Sequence, residues 1–180
     1  MSEILKKTVA QLPEILPKNA RSMMQRTVDA MQKAMAADPQ LGASSYRSLL
    51  LKMSSDDLVR EFDLAIRESM KTIQQASGAR AGAGLGLGLS IEPLDGDADS
   101  PDADADFLSS TALFKKLCAK ASGLGIEGLG NYSFDVFLAA LNDAFAKSRI
   151  DRAEAKKMMP VARLALNGEL ARLYEKLDSL

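Results

Sequence analysis

The stretch 78–106, GARAGAGLGLGLSIEPLDGDADSPDADAD, limits the fold of this chain more than any other feature. Gly and Pro interrupt helix and strand alike, and its seven carboxylates repel one another with no Lys or Arg after Arg80. No regular packed element has this composition. On either side, apolar residues recur at helical spacing. The expectation is an all-α protein of two small helical bundles joined by a flexible Gly/Ala- and Asp-rich linker. The N-terminal unit takes 1–77, the linker 78–106 and the C-terminal unit 107–180.

The rest of the composition agrees. Ala, Leu and nine Met residues must fill most of the core, and β-branched residues are scarce, which favours helices. The chain carries no run of eighteen apolar residues, so no membrane span is expected. No secretory signal is evident at the N-terminus, and the one cysteine, Cys118, has no internal partner. Both point to a cytoplasmic protein. With no histidine, the commonest general base and metal ligand is missing. The net charge of −1 is segregated: 1–80 holds twelve cations against nine anions, 81–110 none against seven, and 111–180 eleven against eight. An acidic tether thus separates two mildly basic units, either as a solvated spacer or as a segment that folds back on basic helices.

In the N-terminal unit, a helix from Glu3 to about Leu12 should stop at Pro13, and Pro17 should open a second that runs to about Ala37. Ala20, Met23, Met24, Val28, Met31, Ala34 and Met35 form a stripe on it. A third helix is expected from Ser44 or Ser45 through Leu51. A fourth should begin at Ser54, with Asp57 completing a capping-box pattern. Leu58, Phe62, Ala65, Ile66, Met70 and Ile73 share its inner face, with Arg60, Asp63, Arg67, Glu68 and Lys71 outward. The Met23, Met24, Met31 and Met35 stripe has two readings, core filler or adaptable binding surface.

The linker offers three chemistries. Carboxylates alternate from Asp95 to Asp99 and from Asp102 to Asp106, but neither run has the sixth-position Gly and twelfth-position Glu of a calcium loop. The glycine-rich 82–89 lacks the Gly-Lys-Ser/Thr ending that neutralises phosphate. Leu85, Leu87 and Leu89 alternate with glycines, so an extended segment would present all three to a partner's sheet edge or groove.

In the C-terminal unit, Asp106 should cap a helix from Phe107 to Ser122, with Leu108, Ala112, Leu113, Leu117 and Ala121 inward. Cys118, with no histidine to activate it, reads as a small boundary residue. Gly123, Gly125 and Gly128 match G-x-G-x-x-G, yet a helix precedes them where the dinucleotide fingerprint needs a strand. They read as a loop in which Gly123 stops the helix. Ser133 should cap a helix carrying Phe134, Phe137, Leu138, Leu141 and Phe145. Asp151 should cap the last helix, which Pro160 kinks or divides. Its apolar face would hold Met158, Val161, Leu164, Ala165, Leu170, Leu173, Tyr174 and Leu177. Its basic residues alternate with acidic ones, so no nucleic-acid partner is expected.

Phe137, Ala140 and Phe145, followed by Leu170, Leu173, Tyr174 and Leu177, form a pattern of their own. Residues 132–180 resemble a segment of the larger bacterial proteins grouped as domain-of-unknown-function family 1631. That resemblance implies a bacterial cytoplasmic origin and brings no defined chemistry. The expected function is a non-enzymatic interaction or regulatory adaptor module with no cofactor and no metal. It would dock a protein partner or a second copy through the Met face, the Leu85/Leu87/Leu89 comb, or Leu170, Leu173, Tyr174 and Leu177. A ligand- or nucleotide-responsive domain is the alternative. An enzyme using Asp56 and Asp57 is a third reading, beside favourable charge at a helix start.

Overall fold

A computed structural model of the chain describes residues 2–37, 45–79 and 101–180, with side chains over 3–37, 54–76 and 110–180. The described residues are all-α: α1 (Ser2–Ala37), α2 (Ser45–Ala79), α3 (Pro101–Gly123), a 3-10 turn (Leu129–Tyr132), α4 (Phe134–Lys147) and α5 (Arg152–Asp178). Two helical parts, α1–α2 and α3–α5, flank residues 80–100, which lie outside the described set together with Leu85, Leu87 and Leu89.

The N-terminal part has two long helices where sequence signals suggested four. Pro13 and Pro17 sit inside α1 rather than between helices. Each removes an N–H, so the carbonyls of Val9 and Pro13 lose their usual intrahelical donors. Burial outweighs that loss. Leu5, Val9, Leu12, Leu16 and Ala20 continue one buried stripe straight through both prolines into Met23, Met24, Val28, Met31 and Met35. α2 likewise runs through the expected start at Ser54, which is buried within the helix. No Gly or Pro interrupts it before Gly78, and Leu49, Leu50, Leu51 and Met53 are good helix formers. Asp56 and Asp57 are therefore mid-helix residues.

α3 begins at Pro101, so the expected linker gives up its last six residues and Asp106 lies inside the helix instead of capping it. Proline suits the first helical position, and a sequence rich in aspartate is favourable at the positive end of a helix dipole. The helix ends by paired bonds, Ile126 N–H to the Ala121 carbonyl (2.9 Å) and Gly125 N–H to the Ser122 carbonyl (3.0 Å). The residue that makes this closure possible is Gly125 at φ +67°, not Gly123. Ala121 and Ile126 are both buried across it.

Ser133 holds the N-cap position of α4 without a side-chain cap bond, whereas the Asp151 carboxylate accepts from Ala153 N–H at 2.9 Å. α5 is one span with Pro160 inside. Its buried ridge steps by four: Met158, Ala162, Leu166, Leu170 and Tyr174. Leu164, expected inward, is exposed.

Whether the two parts pack together was left open by the sequence. They do: α1 and α2 pack antiparallel, α2 packs on α4, α1 on α5, and α3 on α5. α3 and α5 run parallel, since Ser110 meets Asn167, Phe114 meets Tyr174 and Lys116 meets Asp178. The 3-10 turn and α4 carry the chain back between them. Side chains from every helix join one continuous apolar core. At about 25 cal/mol per Å² of apolar surface removed from water, such burial is the main term holding the helices together.

Candidate functional site

Polar groups at the helix interfaces come first, because most of them are engaged in holding helices. Asp63 lies in phase with Phe62 and Ile66 and is buried, against the expectation that it faces water. Its carboxylate meets Arg67 on its own helix at 3.0 Å and Arg21 from α1 at 3.5 Å, and its side chain is 9% exposed. Glu169 repeats the arrangement on α5: Arg26 of α1 at 2.6 Å and Arg172 at 2.9 Å, with the same 9% exposure. α1 thus sends one arginine to a buried carboxylate on each neighbour. Spacing shows only the same-helix arginine, three or four residues from each carboxylate; the arginine that α1 contributes leaves no mark in the sequence of either neighbour.

Other polar contacts tie the ends. Asp57 pairs with Arg60 at 3.3 Å and with Arg149 at 3.4 Å, joining α2 to the turn before α5. Asp178 accepts from Lys116 at 2.7 Å and stands 3.7 Å from Lys120; the Lys116 hydrogen bond holds its carboxyl below the usual range. Ser110 donates to Asn167 within the α3–α5 interface. Tyr174 donates to the Tyr132 carbonyl at 2.9 Å and stacks its ring, tilted at 45°, 5.0 Å from that of Phe114. Burial pushes the Tyr174 phenol well above its ordinary value and raises Tyr132 and the Cys118 thiol. A thiol held protonated is a poor nucleophile, so Cys118 stands as the boundary residue expected.

The residues expected to bind a partner divide sharply. Met23, Met24, Met31 and Met35 are buried, as are Leu170, Tyr174 and Leu177, and Leu173 packs half-buried against them. This corrects the reading of either face as an exposed docking surface. A methionine stripe at helical spacing is what a core needs when aromatics are few. Among the described residues, no group of three His, Cys, Asp or Glu is placed to hold a metal. No described helix is long and apolar enough to cross a membrane.

What sequence reasoning missed is on the outer edge of the α1–α2 seam. Two shallow depressions follow one another there. The first, of about 450 Å³, is lined by Pro13, Glu14, Pro17 and Lys18 of α1 and by Arg67, Met70, Lys71 and Gln74 of α2. Half-buried Pro13 and Pro17 give it an apolar floor over buried Met70, while Lys18, Arg67 and Lys71 stand exposed around it. The second, of about 500 Å³, continues past Arg21, Ser22 and Gln25 opposite Asp56, Val59 and Arg60. Arg67 also donates to the Pro17 carbonyl at 3.3 Å, fixing the guanidinium across the seam. Large exposed apolar side chains elsewhere (Ile4, Leu64, Leu124 and Leu164) come from four different segments of the chain.

No family model, curated protein or solved structure matches the chain.

Proposed function

We propose that this chain is a non-enzymatic protein-interaction module, a regulatory adaptor of the bacterial cytoplasm that binds another protein with its outer helical surface. The observation that carries the reading is the α1–α2 seam, where an apolar floor lies open to water inside a charged rim. Interfaces combine these two features: an apolar centre that gains from exclusion of water and a polar rim that sets orientation. The polar groups buried between helices are paired with one another in structural roles, which leaves the surface as the place where the chain meets other molecules.

The same reading includes a resemblance of residues 132–180 to the family 1631 segment. Of its matching positions, Phe137, Ala140, Phe145, Leu170, Tyr174 and Leu177 are core residues here and Leu173 packs half-buried against them, so it would describe a shared packing pattern. The ligand-responsive reading gains some support from the size of the depressions, which falls within the ~300–1,000 Å³ of small-molecule sites. Both are open grooves, though, and such a ligand needs most of its surface enclosed.

A photo-crosslinking residue placed at Ser22, with a second at exposed Lys115 on α3, tests the module reading in the native cell. The proposal expects a discrete, repeatable protein adduct from at least one position. Monomeric, adduct-free chain from both, with a thermal shift produced by a nucleotide or metabolite, would replace it with the ligand-responsive reading.

A further inference from the structure

The seam differs in charge from the rest of the molecule. The chain as a whole carries a net −1. Around the first depression, Lys18, Arg21, Arg67 and Lys71 face Glu14 and the buried Asp63, an excess of two positive charges even after Asp63 has engaged Arg21 and Arg67. Lys18 and Lys71 are exposed on opposite helices beside the half-buried Pro13 and Pro17. The two depressions together follow α1 from Pro13 to Gln25, about 18 Å at 1.5 Å per residue, which an extended peptide of about five or six residues would span.

We infer that the α1–α2 seam is a docking groove for an acidic linear peptide of a partner protein, in which one apolar side chain sits on the Pro13–Pro17 floor and carboxylates on either side meet Lys18 and Lys71. This rests on the module reading above and names its partner chemistry. Charge complementarity selects an acidic occupant, because a neutral or basic segment would leave the excess cations without counter-charge beside the apolar floor. The proline pair contributes a rigid floor: both rings have fixed φ and no N–H, so they offer apolar surface that loses no backbone freedom on binding. Lys18 and Lys71 add carboxylate recognition as mobile point charges, while Arg67, bonded to Asp63 and to the Pro17 carbonyl, holds the two helices in register beneath them.

Fluorescence anisotropy with the full chain tests this. The probe is a labelled peptide, Glu-Asp-Leu-Asp-Glu-Asp, compared with the same peptide bearing Ser for Leu and with a six-nucleotide oligothymidylate. The inference expects saturable binding of the Leu peptide, weaker binding of the Ser peptide, and loss of affinity as salt rises. K18E combined with K71E should weaken binding about tenfold or more while leaving the melting temperature unchanged, since both side chains are exposed. K115E combined with K156E, equal in charge and away from the seam, should leave it nearly unaltered.

Equal loss from the two double variants would overturn the inference, because attraction would then follow net charge alone. So would oligothymidylate binding as tightly as the Leu peptide, which would make the groove a general polyanion site. Self-association abolished by K18E/K71E would make the occupant a second copy of the chain. Failure of the Leu peptide to bind, with a Lys115 adduct still formed in the cell and none at Ser22, would remove the groove and leave the module reading standing.

Discussion

Gly125 adopts φ +67° to close the end of α3, a backbone conformation that a Cβ makes costly. Nothing lies within 4 Å of where that Cβ would sit, so the cost is conformational and not steric. Gly125→Ala should lower stability by about 1 kcal/mol, measured by urea unfolding, whereas Gly123→Ala, in helical backbone with open space at its Cβ, should leave it unchanged or slightly raised. Tyr174 supplies a pH-dependent test. Burial raises its folded pKa, so the native state holds the phenolic proton more tightly than the unfolded chain. The stability this gives is complete below the ordinary tyrosine value of about 10 and is lost as pH rises beyond it. Melting temperatures taken from neutral pH into the alkaline range should therefore fall less steeply in Tyr174→Phe than in the parent. At neutral pH that variant should be less stable by about 1 kcal/mol, because the Tyr132 carbonyl loses its donor.

At the scale of the element, Pro13 and Pro17 mark helix ends by local rules, yet the buried apolar stripe through Leu12, Leu16 and Ala20 continues past them. Local punctuation is a preference of a few kcal/mol, and burial of a whole helical face exceeds it. Pro17→Ala should accordingly leave α1 helical, with circular dichroism unchanged and stability raised by up to about 1 kcal/mol as the Pro13 carbonyl regains its donor. The same contest explains the missed continuity of α2. Caps at Asp151 and the boundary at Ser133 were legible because each stands where tight turns leave the chain no alternative. The Asp63 and Glu169 pairings were not, since spacing alone does not tell a solvated carboxylate from one met by an arginine of another helix. Arg26→Ala with Glu169→Gln, measured as a double-mutant cycle, should show a coupling of about 1 kcal/mol, modest because Arg26 is itself half-exposed.

For the whole molecule, helix class and the membership of most of the core followed from periodicity. The stripes on α2 and α4 follow from periodicity almost residue for residue; on α1 only the half from Ala20 to Met35 does, without exposed Ala34. The partner surface was not legible, because an amphipathic stripe looks the same whether it meets its own chain or another. Met23, Met24, Met31 and Met35 met α2 and α5, and the outward seam they left behind has no periodic signature, only two prolines and a few cations on separate helices. The central claim is that α1–α2 and α3–α5 share one core. Differential scanning calorimetry of the full chain tests it most directly. One transition whose calorimetric and van't Hoff enthalpies agree is predicted, with Leu58→Ala in α2 and Leu166→Ala in α5 each shifting that single transition downward by about 2–5 kcal/mol of stability. Two separable transitions, each moved by only one of these substitutions, would contradict it.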